Sequence, residues 1–192
     1  MKHRNGRRTW APALALLAAA VPAWGQAQSG GAPTSAPDLA ALIGCEREAQ
    51  AFLALTQTLH DPLRAVALGW RPLPQRNLFL SEYALVVPIR VFGHETRHIA
   101  LSADNIVAVL DLPDPRPLAR ELDLETLIDT PQKAMFGREL RSDERIDPVS
   151  GATRVESVIL NVTNVDSHPG QTLAGCSYSI ESNTETPDSP TE

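Results

Sequence analysis

From Tyr83 to Phe92 the chain alternates in steps of two. Tyr83, Leu85, Val87, Ile89 and Val91 fall on one side; Ala84, Val86, Pro88, Arg90 and Phe92 fall on the other. β-Branched residues at that period predict a strand. A proline inside it predicts an edge position or a bulge, because proline has no N–H to give to the ladder. Gly93 and His94 supply a turn, Ile99 and Leu101 share a face on the return, and Asp104-Asn105 form the next turn. Ile106 to Leu110 is apolar on both faces, as an inner strand would be. The stretch reads as a three-stranded antiparallel meander.

Upstream, steps of three and four replace the alternation. Leu42, Cys45, Ala49, Phe52 and Leu59 line one side of a segment that Asp38 opens as N-cap and His60-Asp61-Pro62 closes. That spacing predicts one helix over 39–59, with Glu46, Arg47, Glu48 and Gln50 on its solvated side. Trp70 to Pro74 is extended by its prolines. After the meander, Asp114 and Pro115 open a short second helix whose Leu118 and Leu122 share a face; Leu124, Leu127 and Ile128 continue the apolar contacts.

The second half repeats the alternation. Ala134–Arg145 is polar and mixed in charge, which suits an exposed edge strand. Residues 147–151 and 166–170 are turns rich in Asp, Pro, Ser and Gly. Between them, Val158, Leu160 and Val162 share a strand face; beyond them, Ala174, Cys176, Tyr178 and Ile180 do. The expected fold is therefore α+β. One long N-terminal helix packs on a twisted antiparallel sheet of about five or six strands, with a short second helix. Phe92-Gly93-His94-Glu95 and Phe136-Gly137-Arg138-Glu139 resemble each other and raise the question of a duplicated unit.

The first residues follow a different logic. Lys2, Arg4, Arg7 and Arg8 precede an Ala/Leu-rich run from Trp10 to Ala23, and Gly25-Gln26-Ala27 has the small-x-small form of a processing site. Residues 1–27 read as a bacterial secretory signal peptide, the run being too short to span a bilayer. Arg7-Arg8 points to twin-arginine export, but the residues after it fit that signal poorly. Residues 28–37 read as a flexible linker, 38–181 as a single globular domain and 182–192 as a disordered acidic tail. Leu42-Ile43-Gly44-Cys45 has the letters of a lipobox, yet a polar linker separates it from the apolar run. The expected localisation is periplasmic or secreted.

Export changes the charge and the cysteines. Losing the four basic residues of 1–27 takes the formal charge from −6 to −10. An acidic chain repels phosphate backbones, so nucleic acid is excluded as a partner, and no second apolar run is long enough for a transmembrane segment. The two cysteines, Cys45 and Cys176, meet an oxidising compartment and each falls on an apolar stripe, so they are expected to pair as a disulfide.

Candidate chemistry is sparse. His94-Glu95-Thr96-Arg97-His98 resembles the HExxH motif of zinc metalloproteases over five residues. The resemblance implies a zinc held by His94 and His98, with Glu95 as general base, and it requires a helix. Thr96 and Arg97 depart from the family's pattern, and the flanking alternation predicts a hairpin instead. His168 lies in a Pro-Gly turn and is expected to be solvated. Glu139, Asp143, Glu144 and Asp147 lack the EF-hand spacing and suit a charged edge strand. No nucleophile elbow, phosphate loop or Cys/His cluster is present.

The expected role is thus a non-catalytic binding module of the cell envelope, with an unknown protein or small ligand as partner. No catalytic residue, cofactor or metal ligand is assigned. The alternative is a zinc metallohydrolase using the His94–His98 string.

Overall fold

The computed structural model describes residues 36–146, 148 and 151–183. The expected signal peptide, most of the linker, part of the turn at 147–151 and all of the tail beyond Asn183 lie outside the described residues.

The fold is an eight-stranded antiparallel sheet with short helices on one face. The strands are β1 (Trp70–Pro72), β2 (Ser81–Val91), β3 (His94–Leu101), β4 (Asn105–Leu110), β5 (Glu125–Asp129), β6 (Ala134–Ile146), β7 (Thr153–Thr163) and β8 (Thr172–Asn183). Their order is β1-β2-β3-β4-β8-β7-β6-β5. Two four-stranded meanders therefore meet along their last strands, β4 and β8. The helices are α1 (Leu39–Ile43), α2 (Ala49–Leu59), α3 (Pro62–Ala67) and α4 (Arg116–Glu121).

This corrects the expectation of one long helix on five or six strands. The apolar spacing through Cys45 is genuine, but the backbone does not stay helical there. Cys45 takes the left-handed conformation, φ 61°. Its N–H bonds Leu42 O and that of Glu46 bonds Ala41 O, which is a Schellman ending one turn after Asp38 caps α1. Such an end usually uses glycine; Gly44 sits one residue early, so the spacing hides the break. Asp61 and Pro62, expected only to stop a helix, also start α3, with the Asp61 carboxylate accepting from Leu63 N at 3.0 Å. The additional strands are β1, whose Trp70 is buried, and β5.

The meander of β2, β3 and β4 forms as expected. Its first turn is at Phe92-Gly93, one residue earlier than the pattern predicts, with positive φ at both residues (50° and 76°), as a two-residue hairpin turn prefers. Pro88 sits in a bulge. Val91 pairs with His94 and Ile89 with Thr96, but the next pair is Ala84 with His98. Leu85 to Pro88 are thus extra residues opposite Arg97, which donates to the carbonyls of Leu85 and Val86.

Leu127 and Ile128 in β5 are exposed rather than apolar contacts, and β5, not β6, is the edge. The start of β6 is buried and its second half is mostly exposed. The two Phe-Gly segments are not structural equivalents. Gly93 makes a hairpin turn, whereas Gly137 lies within β6.

The main core fills the helix side of the sheet. Ile99, Leu101, Ile106, Ala108, Leu110, Val158, Leu160, Val162, Ala174 and Tyr178 face Leu42, Ile43, Phe52, Leu118 and Ala119 from the helices. The Cys45–Cys176 disulfide forms, with Cα atoms 5.2 Å apart, and ties the end of α1 to β8. Beside it, Tyr178 stacks on Phe52 at 5.2 Å and donates its hydroxyl to Leu42 O at 2.7 Å. Burial pushes the Tyr178 phenol up to about 12. At the seam of the two meanders, a Cβ on Gly175 would stand within 2.6 Å of the Val107 Cα, so only glycine lets β4 and β8 approach there.

Candidate functional site

The opposite face of the sheet has a smaller core of Ala100, Val107, Val109 and Leu173, covered by Leu80 and Val165. Its lids are the irregular segments before β2 and between β7 and β8. They are clasped by Asn77 Nδ2 donating to Ser167 Oγ at 3.2 Å. Between sheet and lids lies a group of charged side chains.

Glu82 of β2 is the centre. Register places it opposite Ala100, and places Ala84 opposite His98, so Glu82 and His98 are diagonal neighbours on one face. The Glu82 carboxylate is buried, with a side-chain exposure of 0%. Its Oε2 lies 2.8 Å from His98 Nε2, 3.0 Å from Arg76 Nη2 and 3.1 Å from His168 Nε2. The last approach has no hydrogen-bond geometry, leaving His168 Nε2 and Glu82 Oε1 buried without a hydrogen-bond partner. One oxygen is crowded by three nitrogens while the other has none.

His168 is 1% exposed, which corrects the expectation of a solvated ring. The turn around it folds back onto the sheet. Ser167 Oγ holds its Nδ1 at 2.9 Å, and the two imidazole centroids are 6.0 Å apart. His98 is the partly open member, with 19% of its side chain exposed. It faces a cleft of about 450 Å³ that Leu73, Asp111 and Gln171 also line.

Burial raises the Glu82 carboxyl, but the nearby Arg76, His168 and His98 nitrogens outweigh it and the group lies below its ordinary range. Burial lowers His98 despite the pull of Glu82, favouring the neutral ring. A carboxylate beside a neutral imidazole can accept a proton, orient a polar ligand or donate electron pairs to a cation.

Only one member of the HExxH string joins this group. Residues 94–98 are strand, so His94 and His98 lie roughly 13 Å apart along it rather than one helical turn apart. Arg97 serves the bulge, and Thr96 donates its hydroxyl to Val109 O at 2.8 Å. Glu82 and Arg76 carry no sequence signal of their own. A two-residue turn at Phe92-Gly93 without the bulge would put Glu82 near residue 103, away from His98.

A second concavity opens at the edge of the helix layer. It measures about 460 Å³ and is lined by Leu59, His60, Leu78, Phe79, Tyr83 and Leu101 among others. Leu78 and Phe79, on the segment that carries Arg76 and Asn77, are 86% and 83% exposed.

Comparison with family models, with curated proteins and with solved structures finds no match for this chain.

Proposed function

We propose that this chain is an exported, non-catalytic binding module that takes a small apolar ligand in the cleft beside Leu78 and Phe79. The observation that carries this reading is the pair of large apolar side chains held in water at the mouth of that cleft. A protein surface rarely leaves such neighbours uncovered without a use for them. The volume, about 460 Å³, falls in the range of small-molecule sites. Ser81, Ser102 and His60 supply a few polar groups at the rim, enough to orient a ligand without demanding a charge from it. The acidic chain disfavours anions, so the ligand is neutral or cationic.

Export is supported by the disulfide, which belongs to oxidising compartments. It is compatible with the finding that no helix among the described residues is long and apolar enough to cross a membrane. The basic and apolar pattern of residues 1–27 is the further support.

Two measurements test the reading. A neutral solvatochromic dye such as Nile red should bind the purified protein, and Leu78→Ser/Phe79→Ser should abolish the binding while leaving the melting temperature unchanged. Dye binding that survives the double substitution counts against the cleft. Intact mass after secretion from a bacterial host should place the new N-terminus near Gln28; an uncut or lipidated chain counts against export of this kind.

A further inference from the structure

We propose that Glu82, His98 and His168 bind a divalent transition-metal ion of the zinc class, with a fourth position open toward the cleft at Leu73, Asp111 and Gln171.

A buried carboxylate kept only for an ion pair spreads its donors over both oxygens, since each has two lone pairs. Glu82 does not. Three nitrogens converge on Oε2, Oε1 has no hydrogen-bond partner, and His168 Nε2 points into the group without a hydrogen bond. Buried polar atoms left this way are rare and call for a missing partner. A cation placed among the three side chains would accept electron pairs from all of them.

The spacing suits that partner. One oxygen and two imidazole nitrogens lie within 4.8 Å of one another. Around a tetrahedral zinc with bonds of about 2.0–2.1 Å, ligand atoms stand roughly 3.3 Å apart. The 2.8 and 3.1 Å separations from Oε2 need to widen by only a few tenths of an ångström. The supporting shell is in place on one side. Ser167 Oγ holds His168 Nδ1, and Asn77 Nδ2 holds Ser167 Oγ, fixing the ring with Nε2 inward. Two imidazoles and one carboxylate select transition metals over magnesium or calcium, which take oxygen ligands. Three protein ligands leave room for a water or ligand atom on the open side of His98.

Arg76 is the competitor. Its guanidinium sits 3.0 Å from the oxygen a metal would take, but its side chain is 44% exposed and can swing into solvent. The arrangement thus contains its own diagnostic: removing that positive charge strengthens metal binding, whereas it would weaken a simple ion-pair cluster.

The purified, disulfide-bonded protein, stripped with chelator, is titrated with zinc against a chromophoric competitor, with magnesium and calcium as controls. Cobalt(II) serves as the spectroscopic probe. The expected result is one zinc per chain, intense visible cobalt absorption of a tetrahedral N/O site, a melting temperature raised by zinc, and no response to magnesium or calcium. His98→Ala and Glu82→Gln should each weaken zinc by about a hundredfold. His94→Ala should change nothing, and Arg76→Gln should tighten binding by about tenfold. His98 is partly exposed, so its variant tests the site even if Glu82→Gln fails to fold. Absence of stoichiometric zinc in the native protein overturns the proposal. So does zinc binding that persists in His98→Ala, or that His94→Ala removes equally.

Discussion

On the helix side, the sheet buries a continuous run of aliphatic and aromatic residues from β3, β4, β7 and β8 against α1, α2 and α4. On the other side it buries four apolar residues and then Glu82 and His168, with His98 half-buried beside them. The difference follows from what covers each face. Helices bring a backbone already satisfied by its own hydrogen bonds, so the sheet beneath can be wholly apolar. Irregular segments bring unpaired N–H and C=O groups, and polar side chains must meet them. Thr172 donates to Leu112 O, Gln75 donates to Leu78 O, and Asn77 Oδ1 accepts from Phe79 N for this reason. Polar residues under a loop are therefore expected. A carboxylate with three nitrogens on one oxygen exceeds what that covering requires.

The comparison breaks most visibly at the disulfide. Cys45 and Cys176 are 131 positions apart, and the chain-entropy estimate for such a loop is about 4–5 kcal/mol. Cys176→Ser should lower the melting temperature of the oxidised protein strongly, and reductant should do the same to the native chain. A melt insensitive to reductant would mean that the helix side holds without its covalent link.

A smaller effect is expected on the opposite face. Glu82→Ala removes the acceptor of Arg76 and His98 and should cost about 2–3 kcal/mol. Glu82→Leu, which fills the space with apolar surface, should cost less. Equal losses in urea melts would show that filling the space brings nothing back and that the lost ion pairing alone sets the cost.

Next comes Tyr178→Phe, which removes one of the two hydrogen bonds that the carbonyl of Leu42 accepts and should cost about 1 kcal/mol. The same residue sets an alkaline limit. Its folded pKa is raised to about 12 from 10.0, so its contribution is complete below pH 10.0 and is lost as pH rises toward 12. Denaturant midpoints across that window should fall in the native protein, and fall less in Tyr178→Phe. The smallest effect belongs to Phe79→Ser, which should shift stability by no more than about 0.5 kcal/mol because the ring is exposed. A large loss there would show that Phe79 packs rather than waits for a ligand.

The helix side is largely legible in the chain. Alternation identifies Val158, Leu160, Val162, Ala174 and Tyr178, and apolar stripes place both cysteines inward, because each signal is local and repeats along one element. The break at Cys45 is not legible, since a left-handed cysteine has no spacing signature. The polar cluster is hidden for a different reason. It joins residues 76, 82, 98 and 168 through a register that the bulge between Ala84 and Ile89 shifts. His98 stands out in the sequence for a helical motif that is in fact a strand, and His168 escapes notice because a Pro-Gly turn is normally wet.

The strand order has a consequence for how the molecule is made. β8 lies between β4 and β7, yet of the eight described strands it is the last to be synthesised. Until Thr172 and the residues after it arrive, β4 presents Ile106 to Leu110, apolar on both faces, as a bare edge. Such an edge invites pairing with another chain. The first meander therefore cannot be a safe resting point on the way to the native state. A chain halted before Thr172 would carry two open inner edges and a lone Cys45 thiol, and should assemble with its own kind instead of folding.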